Sequence, residues 1–61
     1  MISFIIPAYN EEGVIQSTIV AVMEVGRAIG GSFEVLVVDD NSSDQTGKIA
    51  AQCGARVVHV T

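Results

Sequence analysis

Cysteine and basic side chains are both scarce in this sequence, and each shortage excludes something. Cys53 is the only cysteine, so no intrachain disulfide can form; this fits a reducing compartment, with Cys53 read as a plain core thiol. Three Lys and Arg stand against seven Asp and Glu, a net charge of −4. That field repels a phosphate backbone, which makes nucleic acid and anionic membrane surface poor partners and favours a small bound ligand. Long apolar runs are missing as well. The stretch from Met1 to Ile6 has no basic lead-in and is cut by Pro7, so it is neither a signal peptide nor long enough to cross a bilayer. A cytoplasmic location is the expectation. No repeat, low-complexity tract or linker interrupts the chain. At 61 residues it buries only about 60% of its unfolded surface, so one domain at most is expected, and an incomplete one. With 49% hydrophobic and 16% charged residues, the composition is nevertheless that of a folding chain rather than a disordered one.

What is present reads as alternating strands and helices. Residues 2–6 (ISFII) and 33–38 (FEVLVV) are short, nearly continuous apolar runs, the pattern of strands covered on both faces in a parallel sheet. Pro7 is expected to end the first. Asn10 is expected to cap a helix over residues 11–29, with Glu11 and Glu12 in its first turn. Its apolar side would gather Ile15, Thr18, Ile19, Val22, Val25, Gly26 and Ile29, and Gly30 and Gly31 would stop it. Ser42 and Gln45 stand at capping-box spacing for a second helix, whose stripe is Thr46, Ile49, Ala50 and Cys53 and whose left-handed cap is Gly54. Residues 56–60 (RVVHV) close a β-α-β-α-β segment of the α/β class, with right-handed parallel crossovers.

Ligands of open parallel sheets bind at the carboxyl ends of the strands. Two polar clusters stand there: PAYNEE, residues 7–12, and DDNSSD, residues 39–44. If the first two strands are neighbours, both clusters face one crevice. A nucleotide in it needs a stacking face and acceptors for base N–H and ribose O–H groups. Tyr9 offers the first, a carboxylate at Asp39 or Asp40 suits the base, and Glu11 suits the ribose. Successive strand side chains point to opposite faces, so Asp39 and Asp40 are expected to do different work, with the assignment left open. Asn10, Asn41, Ser42 and Ser43 are read as cap and turn residues. His59, alone in the third strand, and the solvated charges Lys48 and Arg56 are assigned nothing.

The order FIIPAYNEE, helix, VLVVDDNSSDQT resembles the opening of family 2 glycosyltransferases of the Rossmann-like GT-A fold. Within that family it is most similar to the branch that transfers sugars to polyprenyl phosphates, such as the dolichol-phosphate mannosyltransferases. Either motif alone is weak; both in order, at strand ends and separated by one helix, are specific. The resemblance covers essentially the whole chain, making residues 1–61 an N-terminal fragment of a glycosyltransferase catalytic domain. It implies that Pro7, Ala8, Tyr9, Glu11, Val38, Asp39 and Asp40 line the nucleoside of a UDP- or GDP-hexose. It also implies a divalent cation, Mg or Mn, held by a later Asp-x-Asp motif that this sequence does not contain, and no metal ligand or catalytic residue within the 61. A lipid-phosphate acceptor at the cytoplasmic face of a membrane would belong to the full enzyme, and the fragment alone would be inactive.

Two other readings compete. From residue 35 on, the sequence also looks like the start of a response-regulator receiver, whose acidic pair binds Mg²⁺; such a domain has no use for PAYNEE on an earlier strand and needs a later phosphoacceptor Asp, absent after Asp44. A non-catalytic α/β fragment that self-associates through open sheet edges is the other. A classical dinucleotide fold fails because Pro7 and Tyr9 occupy the turn where G-x-G-x-x-G is required.

Overall fold

β-Branched and aromatic side chains dominate three short runs, and each forms a strand. In the computed structural model, which describes residues 1–60, the order is β1 (Ile2–Ala8), α1 (Ile15–Ile29), β2 (Phe33–Asp40), α2 (Thr46–Gln52) and β3 (Arg56–Val60). Thr61, last residue of the expected 1–61 fragment, lies outside the described residues. The strands form one parallel sheet in the order β1-β2-β3. Ile2 pairs with Phe33 and Ala8 with Asp39, while Leu36 pairs with Arg56 and Asp40 with Val60. The α/β class and the alternation are as expected.

Three boundaries differ, each for a local reason. β1 runs through Pro7 to Ala8, with Pro7 opposite Val38. It is an edge strand, where half of the backbone N–H groups have no neighbouring strand, and there a proline is tolerated. β2 likewise runs past Val38 through Asp39 and Asp40. α1 begins at Ile15 instead of residue 11, and no side chain caps it. Asn10 has a left-handed φ of 49°, and the Glu11 carbonyl accepts the N–H groups of Val14 and Ile15 in a turn that precedes the helix.

Both helices pack on one side of the sheet, touching each other and β2. Ile15, Ile19, Val35, Val37 and Ala50 are buried between the layers with Ala8 and Ala55, each large side chain contributing about 1.5–3 kcal/mol. The predicted stripe of α1 holds at Ile15, Thr18, Ile19, Val22 and Gly26, whereas Val25 and Ile29 are exposed and Met23 joins the core instead. Gly26 lies against the Phe33 ring, where a Cβ would stand 2.7 Å from ring atoms; that ring meets Phe4 edge-on at 5.9 Å. The opposite sheet face is open, and Ile5 on it is 64% exposed.

α2 ends in a Schellman motif. Gly54, at φ 91°, donates to the Ala51 carbonyl and Ala55 to that of Ala50, while Ala50 and Ala55 meet in the core. Its start departs from the capping-box expectation. The first helical residue is Thr46, and its N–H is taken by the Asp44 carboxylate at 3.0 Å, not by Ser42. An Asp accepting the amide two residues on is a self-contained turn that needs no box.

Candidate functional site

β1 and β2 are neighbours, so their carboxyl ends bring the two polar clusters side by side. The loop after β1 and the loop after β2 are bonded to each other through side chains and backbone. The Asn10 N–H donates to Ser42 Oγ at 2.9 Å, and the Ser43 N–H donates to Asn10 Oδ1 at 2.8 Å. Glu11 N–H reaches Thr46 Oγ1 at 2.8 Å. Glu12 and Asp44 complete the set: the Glu12 N–H donates to Asp44 Oδ2 at 3.2 Å, and the Gln45 N–H to Glu12 Oε2 at 3.1 Å. Glu12 therefore places its charge at the start of α2, not in the first turn of α1, where it still complements a helix dipole. Thr46, fully buried, donates its hydroxyl to Asp44. These bonds occupy Asn10, Glu12, Ser42, Ser43, Asp44 and Thr46. For Ser42 and Ser43 this is the turn-building role expected of them, whereas Asn10, expected to cap α1, bonds the β2 loop instead; Asn41 adds a left-handed φ of 56°, a conformation that Asn adopts more readily than other side-chain-bearing residues.

What remains is a cleft of about 310 Å³ lined by Pro7, Ala8, Tyr9, Glu11 and Asp40, a volume at the lower end for small-molecule sites. Tyr9 presents its ring to solvent at 59% exposure. The Asp40 and Glu11 side chains are exposed, and among the described residues neither is held in a salt bridge. Five of the seven sequence-predicted site residues thus stand together. Val38 is half-buried opposite Pro7 in the sheet and does not line the cleft. A larger groove of about 420 Å³ runs beside Gly13, Gln16, Ser17, Val20, Ala21 and Glu24. It is the outer surface of α1 and the turn before it, far in kind from a strand-end crevice, since no second layer converges on it.

Asp39 is the seventh, and it turns the other way. It shares the helix-covered face with Val35 and Val37, is only 4% exposed, and accepts the Ser42 N–H on Oδ1 at 3.2 Å. Oδ2 faces His59 Nδ1 at 3.3 Å, a contact set by the register that places Asp39 opposite His59. The hydrogen bonds from Ser42 hold the Asp39 carboxyl below the usual range against the opposing effect of burial, with His59 adding to the lowering. Asp44 is lowered in the same way, chiefly by its bond from Thr46, with the Thr46 and Glu12 amides contributing. His59, assigned nothing from sequence, is therefore part of the site's support. The signal for it was pair register, which a single strand read alone does not carry.

Opposite facing of Asp39 and Asp40 also bears on cations. Asp39 is buried, with its oxygens on Ser42 and His59, while Asp40 is exposed on the other side of the sheet. Among the described residues no group of three or more His, Cys, Asp or Glu is placed to hold a metal ion. The residues present do not fit a cation site.

The chain matches known proteins along nearly its whole length. Residues 3–61 match the model of the family described as glycosyl transferase family 2. Over 48 residues the chain is 46% identical to a probable glycosyltransferase, YdaM, of Bacillus subtilis (79% of this chain, 11% of that protein). It is 33% identical over 63 residues to an undecaprenyl-phosphate 4-deoxy-4-formamido-L-arabinose transferase of Edwardsiella ictaluri (97% and 19%). To a 4,4'-diaponeurosporenoate glycosyltransferase of Staphylococcus haemolyticus it is 38% identical over 60 residues (98% and 15%). The chain thus spans between 11% and 19% of the length of these curated relatives. No solved structure matches it.

Proposed function

The chain belongs to glycosyl transferase family 2, and we propose that it forms the donor-nucleoside portion of an enzyme that moves a hexose from a UDP- or GDP-sugar to an acceptor. The observation that carries this is the division of labour among the strand-end residues. The loop residues that could distract from a ligand are hydrogen-bonded to each other, and Tyr9, Glu11 and Asp40 stand free around one cleft. In this reading the Tyr9 ring stacks on the base and the Asp40 carboxylate accepts base N–H groups, a charge-assisted bond about twice as strong as a neutral one. Glu11 accepts the ribose hydroxyls. Pro7 and Ala8 form the wall, Val38 backs Pro7 from the neighbouring strand, and Asp39 holds the second loop in place behind Asp40.

The 61 residues are an incomplete domain that binds the nucleoside and does not catalyse. The divalent cation that steadies a donor diphosphate, where the enzyme uses one, is held by residues outside this stretch. A polyprenyl phosphate is the acceptor class favoured by the undecaprenyl-phosphate transferase among the relatives. Such an acceptor sets the work at the cytoplasmic face of a membrane. No helix among the described residues is long and apolar enough to cross one.

Titration of the chain with UDP and with GDP, read by saturation-transfer NMR to reach weak affinities, tests the proposal. One nucleotide is expected to bind saturably, with Asp40→Asn weakening it by about tenfold or more, the range of a hydrogen bond to a charged group. Tyr9→Ala is expected to abolish transfer to the base protons. Mn²⁺ should change little. Binding that ignores both substitutions would overturn the site assignment.

A further inference from the structure

We infer that His59 is a positioning residue for the nucleoside cleft: by holding the second oxygen of Asp39 it fixes the β2 loop, and through it the β1 loop that carries Tyr9 and Glu11. The inference rests on the cleft reading above and adds to it a residue outside both polar clusters.

The Asp39 carboxylate is nearly buried, and its two oxygens have different partners: the Ser42 amide on Oδ1 and the His59 ring on Oδ2. An ionised carboxylate only accepts, so the contact requires a proton on Nδ1 of His59. Without that donor, Oδ2 would lie unpaired beneath α2, and a buried acceptor left unpaired is costly. The cheapest relief is rotation of the carboxylate, which also pulls Oδ1 away from Ser42. Ser42 Oγ in turn receives the Asn10 N–H, and Asn10 Oδ1 receives the Ser43 N–H. A disturbance at Asp39 is therefore passed in two hydrogen bonds to the residue next to Tyr9.

A second observation shows that the fold makes room for this pair. At Gly47, in the first turn of α2, an added Cβ would lie 2.8 Å from Asp39 Oδ2 and 2.8 Å from His59 Cε1. The helix backbone rests directly on both partners, so Gly47 is the residue that lets the two side chains meet under it. His59 itself is 68% exposed in its side chain, which leaves its ring free of the apolar core and makes the nitrogen its distinguishing contribution.

His59→Phe keeps the ring and removes the donor; His59→Asn keeps a donor at the place of Nδ1 without the ring. Two readouts on the 61-residue chain separate positioning from general support. The first is amide hydrogen exchange at Asn10, Ser42 and Ser43, each expressed relative to the core amide of Val37. The second is affinity for UDP and GDP. In His59→Phe, exchange at the loop amides should rise about three- to tenfold relative to Val37, and affinity should fall by a similar factor, the size of one hydrogen bond. His59→Asn should restore both to within about twofold of the parent. Unchanged loop exchange in His59→Phe, or a His59→Asn variant as impaired as the Phe variant, overturns the inference. If neither nucleotide binds the parent chain, the donor-site proposal fails by itself, while the exchange ratios still decide whether His59 orders the loops.

Discussion

The carboxylates of Asp39 and Asp44 accept hydrogen bonds that exist only in the folded chain, and these bonds hold both carboxyls below the ordinary Asp range. A group whose folded pKa is depressed adds stability above its unfolded pKa, and that stability is lost as pH falls through the folded value. Thermal midpoints followed by circular dichroism should hold steady near neutrality and drop as pH is lowered below about 4, near the unfolded carboxyl value. The drop should flatten in an Asp39→Asn, Asp44→Asn double variant, which has no such protons to bind. That Asp39 and Asp40 would differ was legible from strand alternation, but which of them faces the cleft was not. Positions 35–38 are apolar without a break, so the run does not reveal which parity is covered by helices. Only the observed layer resolves it, with Val35, Val37 and Asp39 on the covered side.

Among the elements, the ends of α2 illustrate what local sequence can and cannot specify. Its C-terminal cap was readable because Gly54 needs only its own backbone freedom, and φ there is 91°. Gly54→Ala is expected to cost about 1–2 kcal/mol, the penalty of a side chain in the left-handed region. Gly13→Ala is the control: a Cβ there meets nothing within 4 Å, so it should be neutral or stabilise by up to about 1 kcal/mol. Urea denaturation of the two variants checks the contrast. The start of α1 was misplaced because the amides expected in its first turn are bonded to partners 32 to 35 positions away; at α2 the Gln45 amide that a capping box would hold goes to Glu12, 33 positions away, and Asp44 takes the Thr46 amide. Capping rules look a few residues ahead and do not see such partners. Pro7 misled for a related reason, since whether a proline ends a strand depends on whether that strand lies at a sheet edge.

For the whole molecule, stability rests on a thin core. Few side chains are fully buried, Ile15, Ile19 and Val37 being the large apolar ones, and one sheet face has no cover. A single core in a chain this short rarely supplies more than about 3–5 kcal/mol. Ile19→Ala removes about 2–5 kcal/mol, as much as the entire margin. The expected result is a far-ultraviolet spectrum without a cooperative thermal transition, and a variant that melts sharply within a few degrees of the parent would show a deeper reserve than the buried residues suggest. The reciprocal bonds between the two strand-end loops carry a different kind of consequence. Asn10 and Ser43 are 33 positions apart, yet each of these bonds joins a side chain of one loop to the backbone of the other, so losing either side chain frees an amide across that gap. Damage to the first loop is therefore felt in the second, across the intervening helix and strand. The two loops around the cleft hold or fray as one unit.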